Sequence, residues 1–160
     1  MKNPIVILCL FIFCSCEVEP INNVTPEENS FISELLIHFQ NFEDEAASRQ
    51  LNIDLSTLDL SAEIASIHEE NIAGTCAYSS HNGQHITIDR EFWNQASFLV
   101  REMVVFHELG HCVLFQGHRE QTDQQGHCLS LMASGTTGCN VLYNQINRDY
   151  YLDELFYFGN

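Results

Sequence analysis

The run His107-Glu108-Leu109-Gly110-His111 sets two imidazoles four residues apart, with a carboxylate beside the first. Residues four apart on an α-helix share a face. His107 and His111 are therefore spaced to grip one divalent metal ion, zinc above all. Glu108 then reaches water at the metal and is the expected general base. Residues 98–115 are mostly apolar, as suits a helix buried under a small domain. The structural alternative is a helix whose two histidines are merely packed or solvated. His68-Glu69 begins a second such pattern, but Ile72 stands where its second histidine would have to be.

The elements that must position these residues come from the rest of the chain. Its 160 residues, 45% hydrophobic and 11% aromatic, suit one domain with a real core. Lys2 followed by the apolar run 5–13 has the make-up of a secretion signal and is too short to span a bilayer. Phe13-Cys14-Ser15-Cys16 resembles a bacterial lipobox, in which Cys16 receives the lipid and becomes the mature N-terminus. The expected organisation is a lipoprotein signal peptide over 1–15, an acidic tether over 16–25 and a single domain over 26–160. That places the chain as an exported bacterial lipoprotein on the outer membrane or cell surface; an ordinary cleaved signal or an uncleaved anchor is the alternative.

All 22 acidic residues follow Cys16, and Lys2 is the only lysine, so the formal charge of −16 becomes more negative once the signal is gone. A polyanion without lysine repels nucleic acid and anionic headgroups, and it has no catalytic lysine. Membrane attachment would rest on the N-terminal lipid alone, and a monomer is expected. Besides Cys16, the mature chain holds Cys76, Cys112, Cys128 and Cys139. In an oxidising compartment these can form two disulfides in three connectivities. We expect Cys128 with Cys139, closing a short loop around Met132. Cys76 is then left for Cys112, whose side chain points about 100° away from that of His111. A Cys/His zinc site from Cys112, His118, His127 and Cys128 is the rival, though no C-x-x-C spacing supports it.

The chain reads as α+β. Thr25-Pro26-Glu27-Glu28 starts a helix, and Phe31, Leu35, Leu36 and Phe39 form a stripe fit to cover a sheet. His38 on that helix is packed or on the surface rather than a ligand. Residues 51–60 alternate like a strand, with 61–70 open to a short helix. Residues 74–80 and 85–89, joined through Asn82-Gly83, form a hairpin. Asn94 or Ser97 caps the histidine-bearing helix, and residues 150–158 close the domain as a short amphipathic helix. The expected fold is thus a small mixed sheet with an edge hairpin, packed on an N-terminal helix and a long zinc-binding active-site helix.

With His118 after the helix and Ser130-Leu131-Met132 further on, residues 85–135 resemble a metzincin-type zinc metallopeptidase. They are similar in particular to short lipid-anchored metallopeptidases of Bacteroidetes-like bacteria. The resemblance implies a third histidine ligand after the helix, a methionine-bearing turn at Met132 beneath the metal, Zn2+ as cofactor and a peptide or protein substrate. It also implies that the strand 85–89, taken as an edge, pairs with an extended substrate. The chain departs from the family in spacing: Leu114 and Gly117 stand where the glycine and third histidine belong, and the histidine comes one residue late. A continuing helix would carry His118 about 10.5 Å beyond His111, too far to share a metal held at roughly 2 Å. The backbone must break, and Gly117 is expected to do it in a left-handed turn. His127, or a distant Glu120 or Asp153, is the alternative third ligand. A catalytically silent zinc-binding or adhesive surface lipoprotein is the alternative function.

Overall fold

The computed structural model describes residues 26–79, 83–134, 141 and 143–157. The expected signal, Cys16 and the tether lie outside these residues, as do the hairpin turn at 80–82 and Cys139. Among the described residues the chain forms four α-helices and a three-stranded mixed sheet, the α+β class expected.

Helix α1 spans Pro26–Ser48, with proline at the first turn, where its missing N–H is not needed. Leu35, His38, Phe42 and Ala46 are buried at intervals of three and four, the spacing of one helix face. Leu36, expected in that stripe, is 55% exposed, because one step from Leu35 turns the side chain about 100°. His38 is packed inside, edge-on to Trp93 and tilted against Phe98.

The strand expected over 51–60 does not form. Asp54 accepts a hydrogen bond from the Ser56 N–H at 3.0 Å and starts a 3₁₀ turn, Leu55–Thr57, that buries Leu55. Strand β1 follows as Leu60–Ala65, where a short helix was the alternative. Strand β2, Gly74–Ser79, and β3, Gly83–Asp89, pair antiparallel from Gly74↔Ile88 to Ser79↔Gly83. Strand β1 pairs parallel with β3 from Leu60↔Gln84 to Ala65↔Asp89, so the order is β1-β3-β2. Residues 85–89 are therefore not an edge but the middle of the sheet. The strand that covers them, β1, begins where the misleading alternation of 51–60 ends. Burial agrees: Ile86 and Ile88 are fully enclosed, while outward His85 meets Ser61 Oγ at 2.7 Å and Glu63 at 3.3 Å.

Asp89 ends the sheet and caps α2, Arg90–Gln95, accepting from the N–H of Phe92 at 2.8 Å and of Ile67 at 3.0 Å. Those bonds to the charged form hold its carboxyl below the usual range. Asn94 lies within α2, and Ser97 is the N-cap of α3, Phe98–Cys112, although its side chain makes no capping bond. Helix α4, Arg148–Tyr157, closes the domain. Val105, Phe106 and Leu109 of α3 are fully buried, with Phe42 edge-on to Phe106 and tilted against Phe156.

One charged group joins the helices from inside. Glu102 of α3 is 1% exposed and takes a two-pronged ion pair from Arg148 of α4, at 2.7 and 3.1 Å. Tyr143 donates to the same carboxylate at 2.7 Å, and Arg148 also reaches Glu45 of α1 at 2.5 Å. Burial and the adjacent carboxylate push the Tyr143 phenol above its usual range. Glu102→Ala should lower the unfolding free energy by about 3 kcal/mol, because it leaves a guanidinium and a phenol without their shared acceptor. Urea denaturation checks this; a loss below about 0.5 kcal/mol, the size of an ordinary surface change, would contradict it.

Candidate metal centre

Helix α3 delivers His107 and His111 to one face, with their Nε2 atoms 3.0 Å apart. The helix stops at Cys112, and the Val113 N–H returns to Leu109 O at 2.7 Å. The left-handed residue that turns the chain is Phe115, at φ 54, and not Gly117. Gln116 explains the earlier break. Its N–H reaches back to Gly110 O at 3.0 Å, its Nε2 donates to Leu155 O at 2.7 Å, and its Oε1 accepts from Arg119. With Gln116 fixed, the chain has already doubled back when it reaches His118, whose Nε2 lies 3.1 Å from that of His111.

His107, His111 and His118 form a group that can hold a metal ion, their ligand atoms all within 4.8 Å of one another. The donor chemistry fits. His107 Nδ1 lies 2.9 Å from Leu131 O, and His111 Nδ1 lies 2.6 Å from Gln116 O. A carbonyl only accepts, so in both rings Nδ1 carries the proton and Nε2 presents a lone pair to the group. Nitrogens about 2.05 Å from a tetrahedral zinc sit about 3.3 Å apart, close to the spacing observed. Burial holds the His107 imidazole down at about 4, and the neighbouring imidazoles add to that; burial lowers His111 as well. Both rings are neutral at pH 7, the form that binds a cation.

Glu108, also on α3, is 5% exposed. Burial pushes its carboxyl up to about 7, with no hydrogen bond among the described residues contributing. It faces β2, where an added Cβ on Gly74 would come within 2.9 Å of both its Cγ and its Oε1. Gly74, Cys76 and Tyr78 alternate along β2 and so share one face. All three meet α3: Gly74 at Glu108, Cys76 through a disulfide to Cys112, and Tyr78 by donating its O–H to the His111 carbonyl. The disulfide is the pairing expected. It closes a separation of 36 residues, a stabilisation of about 4 kcal/mol in the chain-entropy picture. Tyr78 stacks on Phe115 with ring centroids 6.3 Å apart, and both rings are largely exposed.

Met132 is fully buried against α3, and a Cβ on Gly110 would collide with its Sδ. The turn holding it is braced by Ser130 Oγ, which accepts the Met132 N–H at 3.0 Å, and by Arg119, whose N–H reaches Met132 O at 2.9 Å. The other candidate ligands do not join the group, although the charge of Glu120 acts on His107. His127 is paired with Asp123 at 2.8 Å, Glu120 accepts from the Ser134 N–H at 3.2 Å, and Asp153 pairs with Arg49 at 2.9 Å. Cys112 and Cys128 are both disulfide-bonded, which removes the Cys/His zinc site. Cys139, the partner expected for Cys128, lies outside the described residues. Four contributors went unread in the sequence: the carbonyls of Leu131 and Gln116, the space at Gly74 and the bond from Tyr78. Only Gly74 had a visible signal, a glycine opening a strand.

The chain matches no family model, no curated protein and no solved structure.

If these three imidazoles are the ligands, His118→Ala should lose at least about 100-fold in zinc affinity, while His127→Ala keeps it. One lost ligand costs more than the 10–100-fold of a lost outer-shell partner. Competitive chelator titration decides it; the reverse ranking would remove His118 from the site.

Proposed function

We propose that this chain is a zinc-dependent endopeptidase of the metzincin type. The observation that carries the reading is the convergence of three imidazole nitrogens, with a desolvated carboxylate, Glu108, next to His107 on the same helix. An all-imidazole donor set suits zinc among the common biological cations, and three protein ligands leave a coordination position for chemistry. Bound zinc would act as a Lewis acid, polarising a peptide carbonyl and making water at the site acidic enough to lose its proton near neutral pH.

The protein's own groups do the rest. Glu108 accepts the proton of the attacking water on its carboxylate and passes it to the leaving amine nitrogen as the C–N bond breaks. In the loaded site the Glu108 carboxylate would be favoured in its ionised form by the nearby positive charge, opposing the upward push of burial. Leu131 and Gln116 hold two imidazoles in the tautomer that faces the site. Among the described strands the free edge beside α3 is β2, so an extended substrate would add to β2 rather than to β3. That edge carries Tyr78, next to exposed Phe115. The late third histidine, which departs from the metzincin spacing, is accommodated by the turn at Phe115 and Gln116. No helix among the described residues is long and apolar enough to cross a membrane. We place the enzyme outside the cell, held by lipid on Cys16.

Glu108→Gln keeps the size of the side chain and cannot accept the proton. We expect it to lower turnover on an unfolded protein about 10²–10⁴-fold, with zinc content and melting temperature retained. A mutant with wild-type turnover would leave the peptidase reading without its base. A wild type that binds zinc and cleaves nothing would instead favour a silent zinc-binding lipoprotein.

A further inference from the structure

We propose that Gly74 positions the general base: the side chain missing from β2 is the slot that the Glu108 carboxylate occupies. This rests on the peptidase reading and names a residue that reading does not use.

Glycine in a strand calls for a reason, since it forgoes packing and chain stiffness. Gly74 is not among the glycines with positive φ, which are Gly83 and Gly126. Its backbone angles therefore do not require glycine, and space is what remains. An added Cβ would stand 2.9 Å from Glu108 Cγ, 2.9 Å from Glu108 Oε1 and 3.1 Å from Ile88 Cδ1. The two closest of these atoms belong to Glu108, and real Cβ atoms essentially never approach within 3.0 Å of another atom in this way.

The strand cannot step aside to make room. Two residues on, Cys76 is bonded to Cys112, one turn beyond Glu108 on α3. Four residues on, Tyr78 donates to the His111 carbonyl. On its far side β2 is laddered to β3, with Gly74 opposite Ile88, which is fully buried. Two strand residues advance about 6.6 Å and four helix residues about 6 Å. Gly74 and Cys76 thus stay in step with successive turns of α3, and the contact at Gly74 is fixed by the disulfide that follows it and by the bond from Tyr78. With no hydrogen bond from the described residues to aim it, the carboxylate is placed by its walls, and the backbone of Gly74 is one of them. The freest atoms in the contact are those of the Glu108 side chain, so a methyl at residue 74 would displace the carboxylate rather than unfold the sheet.

The test is a double-mutant cycle of Gly74→Ala and Glu108→Ala, with zinc-loaded protein for kinetics and metal-free protein for melting. Gly74→Ala should lower kcat about 10–100-fold, as a shift of about 1 Å does to a catalytic group. KM and zinc affinity should stay within about 2-fold of wild type. Alanine at residue 108 removes both the Cγ and the carboxylate and so clears the methyl. Glu108→Ala should therefore cost less in kcat when residue 74 is alanine, and it should recover part of the melting temperature lost to Gly74→Ala. If Gly74→Ala fails to fold, recovery of folding in the double mutant supports the contact, and its absence overturns it. Strictly multiplicative effects on kcat, or wild-type kcat in Gly74→Ala, overturn the inference while leaving the peptidase reading intact. A wild type that cleaves nothing overturns that reading, and the inference with it.

Discussion

Three imidazoles converge on one small volume, at least two of them presenting lone pairs, and that is an arrangement a folded chain does not hold without cause. In at least two of the rings the far nitrogen donates to a backbone carbonyl, so neither can rotate away without giving up a hydrogen bond. The lone pairs of His107 and His111, on nitrogens 3.0 Å apart, repel unless a cation lies among them. The surrounding structure can be understood as what resists that repulsion. Helix α3 sets two rings by its pitch, the chain reversal at Phe115 returns the third, and the turn at Leu131 and Met132 supplies a carbonyl and a packed underside.

Helix α3 is held at both ends, by different means. At its start Glu102 joins it to α4 and α1 through Arg148, a buried charge satisfied by a guanidinium and a phenol. At its end Cys112 is bonded to β2, and the His111 carbonyl takes the Tyr78 O–H. A chain of 160 residues with a net charge of −16 repels itself, and it has few cations to offset this. Of its five arginines, Arg49, Arg101, Arg119 and Arg148 all enter ion pairs that tie distant segments together. Cross-links of this kind keep the site rigid where the composition alone would loosen it.

Much of the site could be read from spacing. A separation of four residues fixes a shared helix face whatever surrounds it, so His107, Glu108 and His111 were legible, and the 10.5 Å argument required a break before His118. The place of the break was not legible. Glycine is the usual left-handed residue, yet Gly117 keeps ordinary angles while Phe115 adopts the strained ones, because Gln116 is held by three separate partners that no local pattern announces. In the fold, the three longer helices and the pairing of the hairpin strands followed from the sequence pattern, while the short α2 did not. The first strand did not: residues 51–60 alternate as a strand does, but Asp54 captures a nearby N–H and converts them into a turn. Misplacing β1 also made β3 look like an edge, since parallel pairing across 24 residues leaves no local trace.

X-ray absorption at the zinc edge of the purified, metal-loaded protein tests the central claim most directly. The account predicts one zinc per chain with three imidazole nitrogens at about 2.0–2.1 Å and one further light atom completing the shell. Sulfur scattering at about 2.3 Å, a shell of oxygens alone, or zinc that washes away without three imidazole neighbours would contradict it.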